Sequence, residues 1–274
     1  MILCYTYLES EGKHSKPERA LSMNRMVFDT ETTDLSKPFC YDVGYLIFND
    51  EDNSVLVRKH FVVEQVWHNL PLFESAYYKD KRPLYVTLMR ARKATMTKWG
   101  YIMQEMIRDI KSYEVTDAYA YNSDFDEKVF NFNCDWFKTA NPFDNVAIHD
   151  IWGYVSQFIS CNDDYKAFCE EKQLFTDTGN YKASAESVFR FLTQDTDFDE
   201  AHMGAYDADI EAAILWACVE RGAEYDKDYK VVKVLPRMVQ KPFTIKINNE
   251  IVYSGKYVKK YARQDVYNFT VAGE

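Results

Sequence analysis

None of the six cysteines of this 274-residue chain (Cys4, Cys40, Cys134, Cys161, Cys169 and Cys218) belongs to a C-x-x-C pair, and no histidine pattern accompanies them. A zinc site is therefore not expected, and in a chain of this length the thiols read as reduced, as in a cytosolic protein. No apolar run approaches the roughly 18 residues that a membrane span needs. Residues 2–8 are apolar but too few, and they lack the basic flank of a signal peptide. Neither an internal repeat nor a low-complexity linker is present. Positive charge is also short: the formal net charge is −10, which argues against a protein that coats polyanions non-specifically. The expected location is the cytoplasm, with no membrane contact.

What is present suits one large domain with an appendage. The apolar fraction of 47% is ample for a core, and the 21 Tyr, 18 Phe and 5 Trp supply rings for that core or for stacking on flat partners. Charge is uneven. Between residues 227 and 263 lie Lys227, Lys230, Lys233, Arg237, Lys241, Lys246, Lys256, Lys259, Lys260 and Arg263, against only Asp228 and Glu250. The expected division is an N-terminal extension at 1–22, a main domain at 23–226 and a basic, β-rich extension at 227–274. The first of these fits an ordered strand and tail, a flexible arm or an upstream extension of the reading frame.

Periodicity orders the main domain. Strands are expected at 26–30, 43–49 and 55–63, joined by short polar turns as in an antiparallel meander. Helical spacing near 3.6 follows at 66–78 and 94–113. A strand at 117–121 leads through Asn122 and Ser123, both good N-cap types, into a helix at 124–137. A strand at 146–151 and helices at 152–168, 183–192 and 203–221 complete it, with Gly222 as the final stop. Further short β-like runs fall at 231–235, 243–247 and 251–253, with a turn at Asn248-Asn249. The expected class is α/β, a mixed sheet of a three-strand meander plus two further strands, flanked by helices.

Three patches carry chemistry. In Met26-Val27-Phe28-Asp29-Thr30-Glu31-Thr32-Thr33, Asp29 and Glu31 are two apart on a strand and point to one face. Two carboxylates so placed repel each other unless a cation sits between them or one takes up a proton. A hard divalent cation with oxygen ligands answers this. The second patch, Tyr121-Asn122-Ser123-Asp124-Phe125-Asp126, is where a strand ends and a helix begins. The third runs from Ala201 to Ala208 and holds His202 and Asp207 at the start of the last long helix. Singly, each has a plain structural reading as a solvated strand end or a first-turn helix acid. In this order and context they form a set.

That set resembles the DEDD superfamily of 3′–5′ exonucleases, the DnaQ-like group with an RNase H-like fold, over residues 26 to about 221. His202 followed by Asp207 is similar to the histidine (DEDDh) form; the tyrosine form would need Tyr at 203, which is Met here. The resemblance implies two divalent cations, Mg²⁺ or Mn²⁺, held by Asp29, Glu31, Asp126 and Asp207, with His202 taking a proton from the attacking water. An ideal helix would put His202 and Asp207 about 140° apart, so His202 is expected on the loop before the helix. Substrate contacts are implied for Thr30, Thr32, Leu35, Asn122 and Phe125. The partner implied is the 3′ end of a single-stranded nucleic acid, DNA favoured, hydrolysed to nucleoside monophosphates. Alternatives are an exoribonuclease of the same family, RNase T-like or oligoribonuclease-like, and a catalytically silent nucleic-acid-binding or host-interaction protein on the same fold. The chain departs from the family at Asp34, where Gly is common, and in a longer segment after the third strand that includes Tyr77 to Pro83, Arg90, Arg92 and Lys93. Basic tracks at 79–98 and in the C-terminal segment compete as strand-binding surfaces, and the latter also suits docking of a protein partner through an exposed strand.

Overall fold

Strict alternation along two central strands sets the layers. In β1 (Asn24–Thr32), Met26 and Phe28 face one apolar cluster and Val27 faces another. In β2 (Cys40–Asn49), Val43, Tyr45 and Ile47 join the first cluster while Leu46 and Phe48 join the second. Both faces of the sheet are therefore buried, which explains why these strands read as continuous apolar runs. A computed structural model describes the chain over residues 22–232, with the backbone alone of 239–247 and 250–259. The expected N-terminal extension lies outside the described residues apart from Ser22, and so does the expected turn at Asn248-Asn249.

β1, β2 and β3 (Val55–Val63) form the expected antiparallel meander. Single-turn helices α1 (Glu64–Trp67) and α2 (Leu70–Phe73) follow, then a 3₁₀ turn (Lys79–Lys81) and α3 (Arg82–Arg90). The expected helix at 66–78 is thus broken. Asn69 accepts a hydrogen bond from Leu72 N (3.3 Å) and starts a new turn, and Pro71 has no N–H with which to extend the old one. A sixth strand, β4 (Thr95–Thr97), pairs parallel with β3 where helix was expected, because the chain stays extended through Lys98 and its two threonines are β-branched. Helix α4 (Trp99–Ser112) begins only after it.

Next come β5 (Asp117–Ala120), α5 (Ser123–Phe137), β6 (Ala147–Asp150), α6 (Ile151–Phe158), α7 (Asp163–Lys172), α8 (Ala185–Thr193) and α9 (Gly204–Glu220). β5 pairs parallel with β1, and β6 with β5, giving the order β4-β3-β2-β1-β5-β6. This is the expected mixed α/β sheet flanked by helices, with β4 added at one edge. The single helix expected at 152–168 is two. Asn162 Nδ2 donates to Phe158 O (2.9 Å), closing α6, and Asp163 and Asp164 take the first turn of α7. Helix α9 is buried nearly all round and lies across β1 and β2, as a helix apolar on every side must.

The chain stays on the domain after α9. Buried Arg25 pairs with Asp117 (2.8 Å), Asp50 (3.1 Å) and Asp226, and His149 lies 2.8 Å from Asp228. A Cβ at Gly153 would stand 1.8 Å from Tyr229 O, so only glycine admits that stretch. Val231 and Val232 are not in a strand, and the rest of the expected run at 231–235 lies outside the described residues. β7 (Val239–Ile247) pairs antiparallel with β8 (Glu250–Lys259), covering the other two expected runs. No helix among the described residues is long and apolar enough to cross a membrane.

Candidate active site

Asp29 and Glu31 continue the Val27 row of β1 toward the face covered by α9. Their cross-strand partners in β2 are Gly44 and Asp42. Gly44 lets the first turn of α9 come down onto the strands. A Cβ there would lie 1.9 Å from Ala205 N, and one at Gly204 would lie 2.6 Å from Gly44 N and 3.0 Å from Asp29 O. Backbone against backbone, this contact delivers Asp207. One ligand atom each from Glu31, His202 and Asp207 lie within 4.8 Å of one another.

Asp126 arrives from the other side of the strand end. Its Oδ1 accepts from Thr30 N (3.1 Å) and Thr30 Oγ1 (2.6 Å), tying the first turn of α5 to β1. The approach requires a sharp exit from β5, and Asn122 makes it with a left-handed backbone, φ 62°. Asn122 N donates to Asp150 Oδ1 (2.8 Å).

Burial dominates the electrostatics. It pushes the Asp126 carboxyl up to about 7, and with the help of Glu200 it pushes Asp207 up to about 8. Asp29 and Glu31 are also raised well above the usual carboxylate range. Burial comes first in both; Glu211, Asp126 and Asp207 then act on Asp29, and Asp207 and Asp42 on Glu31. Asp29 Oδ2 and Asp207 Oδ1 are buried with no hydrogen-bond partner. An all-oxygen set of crowded acids with orphaned lone pairs fits hard divalent cations.

His202 sits on the loop before α9 at φ 46°. Its ring stacks on Tyr78, with centroids 4.0 Å apart and planes 12° from parallel. Burial and then the Lys81 charge lower its pKa from the ordinary value, favouring the neutral imidazole.

The residues named for substrate contact divide. Leu35 is 84% exposed on the loop after β1, Thr32 is half-buried, and Asn122 is exposed. The Thr30 hydroxyl is engaged with Asp126, and Phe125 is half-buried against the larger core cluster. In the 79–98 track, Arg82 is turned inward over Trp67 (4.3 Å) and Phe73 (4.8 Å), while Arg90, Arg92 and Lys93 are exposed. The side chains of the C-terminal track beyond Val232 lie outside the described residues.

Several residues at the site were not among the expected ones. Asp42, wholly buried, accepts from Gly204 N (3.0 Å) and Tyr85 OH (2.5 Å) and faces His60 Nε2 at 2.8 Å. Glu211, one turn beyond Asp207, is 3% exposed and accepts from Tyr121 N (3.1 Å). Glu200, its carboxyl pushed up to about 7 by burial, lies 3.8 Å from His202 Nδ1. The i, i+4 spacing from Asp207 would have flagged Glu211. Register across the meander would have flagged Asp42.

No family model and no curated protein matches the chain. Among solved structures it is similar to a full-length 3′-exonuclease, with a TM-score of 0.44 and 11% identity over 77% of this chain and 64% of that one. It is also similar to E. coli Exonuclease I, in structures with a dA16 and with a dT13 oligonucleotide. There the TM-score is 0.42 and the identity 13%, over 73% of this chain and 41% of that one. The chain spans less than two thirds of the length of either protein.

Proposed function

We propose that this chain is a metal-dependent 3′–5′ exonuclease of the DEDDh type, hydrolysing phosphodiester bonds at the 3′ end of a single-stranded nucleic acid. The observation that carries the reading is that Glu31, His202 and Asp207 offer ligand atoms within 4.8 Å of one another, beside an Asp29 carboxyl on which the charges of Asp126, Asp207 and Glu31 act, with Asp29 Oδ2 and Asp207 Oδ1 buried and unpartnered. These four acids would hold two divalent cations, Mg²⁺ or Mn²⁺. Bound there, the cations supply charge stabilisation for the attacking and leaving oxygens of the displacement.

The chain's own residues do the rest. Thr30 holds Asp126 against β1, and Met203 N holds Asp207 at the first turn of α9. With its pKa lowered by burial and then by the Lys81 charge, His202 would accept the proton of the attacking water. The exposed side chain of Leu35, beside the strand end, offers an apolar surface to the terminal base.

The test is turnover of 5′-labelled single- and double-stranded DNA and RNA with Mg²⁺ or Mn²⁺ and with chelator. Metal-dependent shortening from the 3′ end is expected, and Asp29→Ala should abolish it. Activity that survives Asp29→Ala would refute the assignment. Degradation of RNA alone would make the protein an exoribonuclease, and binding without degradation would favour a silent nucleic-acid-binding protein.

A further inference from the structure

We infer that residues 78–81, which lie in the segment lengthened relative to compact exonucleases, form a clasp that sets the position of the histidine base, with Tyr78 as the positioning residue. The inference rests on the nuclease reading for what His202 does, but the clasp itself is a matter of geometry. His202 is a poor candidate for holding its own place. It lies outside α9 in a left-handed backbone conformation that a non-glycine residue adopts only when its surroundings impose it. The Glu200 carboxylate, 3.8 Å from Nδ1, is too far for a hydrogen bond.

Two contacts from one distant segment fill that gap. The Tyr78 ring lies flat against the imidazole at 4.0 Å, fixing the plane of the base. Three residues on, Lys81 Nζ donates to the carbonyl oxygen of Ala201, the residue before His202, and sits 4.9 Å from the Tyr78 centroid. Lys81 thereby ties the stacking ring to the backbone that carries the base. The segment has its own footing. Arg82 donates to Trp67 O (3.2 Å) and covers Trp67 and Phe73, so the turn bearing Tyr78 is fastened to the core behind it. None of these contacts uses a metal-binding carboxylate. Acting on His202 as a base, the clasp should govern turnover and leave metal affinity alone; because His202 also offers a ligand atom within 4.8 Å of Glu31 and Asp207, the Mn²⁺ measurement tests that role.

The experiment compares wild type, Tyr78→Ala and Tyr78→Phe in the full chain. Steady-state turnover is measured on a single-stranded oligonucleotide, Mn²⁺ affinity by calorimetry, and the His202 Cε1–H resonance in histidine-labelled protein, assigned by its loss in His202→Ala. A positioned general base is worth about 10²–10⁴ in rate, so Tyr78→Ala should lower kcat by roughly 10- to 100-fold. Its Mn²⁺ affinity should stay within about twofold of wild type, while the resonance loses its ring-current shift. Tyr78→Phe keeps the ring and should keep both kcat and the resonance. An unchanged resonance in Tyr78→Ala, an unchanged kcat, or equal losses in the Ala and Phe variants would each overturn the clasp. Should Tyr78→Ala fail to fold, Tyr78→Phe decides: losing kcat or the wild-type resonance overturns the clasp, and keeping both supports it. If the wild-type protein degrades nothing, the nuclease reading falls, and the resonance still decides whether Tyr78 holds His202.

Discussion

Removing a charge from the acid cluster should stabilise the metal-free protein, and the size of the effect follows from Asp207. Its carboxyl titrates near 8 in the fold against 3.8 as a free side chain, chiefly through burial and then Glu200. Between those values the folded state binds a proton that the unfolded state does not, so stability falls as pH rises through this window. At about 1.36 kcal/mol per pH unit, ionising Asp207 in the fold costs roughly 6 kcal/mol. Its neighbours take up protons in response, so the gain from Asp207→Asn should be smaller, about 2–4 kcal/mol at pH 8.5. The amide oxygen still accepts from Met203 N, which keeps the first turn of α9 intact. For a domain of this size that gain corresponds to about 5–10 °C in Tm. The assay is calorimetry in chelator from pH 5 to 8.5. The variant should melt well above wild type at pH 8.5 and only slightly above it at pH 5. Saturating Mn²⁺ should close most of the gap, since a ligand at about 100 times its Kd adds about 2.7 kcal/mol to the protein that binds it, close to the gain itself. If Asp207→Asn is no more stable than wild type in chelator at pH 8.5, or equally favoured at pH 5, repulsion and burial do not govern this cluster.

Two further perturbations test the frame around the site. Gly44→Ala puts a methyl 1.9 Å from Ala205 N, a backbone atom that cannot rotate away, so α9 must lift off the strands. A loss of about 2–3 kcal/mol and of nuclease turnover is expected, and wild-type melting with wild-type activity would refute the close approach. Arg25→Met leaves Asp117 buried without its cation. Although burial works against it, Asp117 is held below the usual carboxylate range by hydrogen bonds from Thr116 and His149 and by the Arg25 charge. A group so depressed contributes stability above its unfolded pKa that is lost as pH falls through the folded one. Arg25→Met should therefore cost about 3 kcal/mol at pH 7, less below pH 4, and a thermal melt at both pH values checks it.

How much of the fold could be read from sequence depended on the range of the interaction that decided each element. β3 at 55–63, α5 and α9 were legible because their patterns and stop signals are local. β4 was not: three residues carry too little periodicity, and only pairing with β3 makes Thr95–Thr97 a strand. The split into α1 and α2 turned on one hydrogen bond that Asn69 accepts from Leu72 N, and the split at 160–162 on one that Asn162 donates to Phe158 O, each formed only after the chain has turned.

The same rule divides the site. Asp29 and Glu31 announce themselves because i and i+2 on one strand is a local crowding that needs an explanation. Asp42 adds to that crowding from directly across the ladder, yet it is eleven residues from Glu31 and appears only once β1 and β2 are in register. Its place is not redundant. A carboxylate opposite Glu31 would be repelled, and it is kept there by hydrogen bonds from the Tyr85 hydroxyl and the amide of Gly204, so it fastens the helix that brings Asp207. Tyr78 and Lys81 lie further still from His202, and nothing in their local sequence points to it. Residues that meet the substrate are constrained in type by chemistry and can be found by motif. Those that hold them are constrained only by where the fold brings them, so they come into view with the tertiary structure.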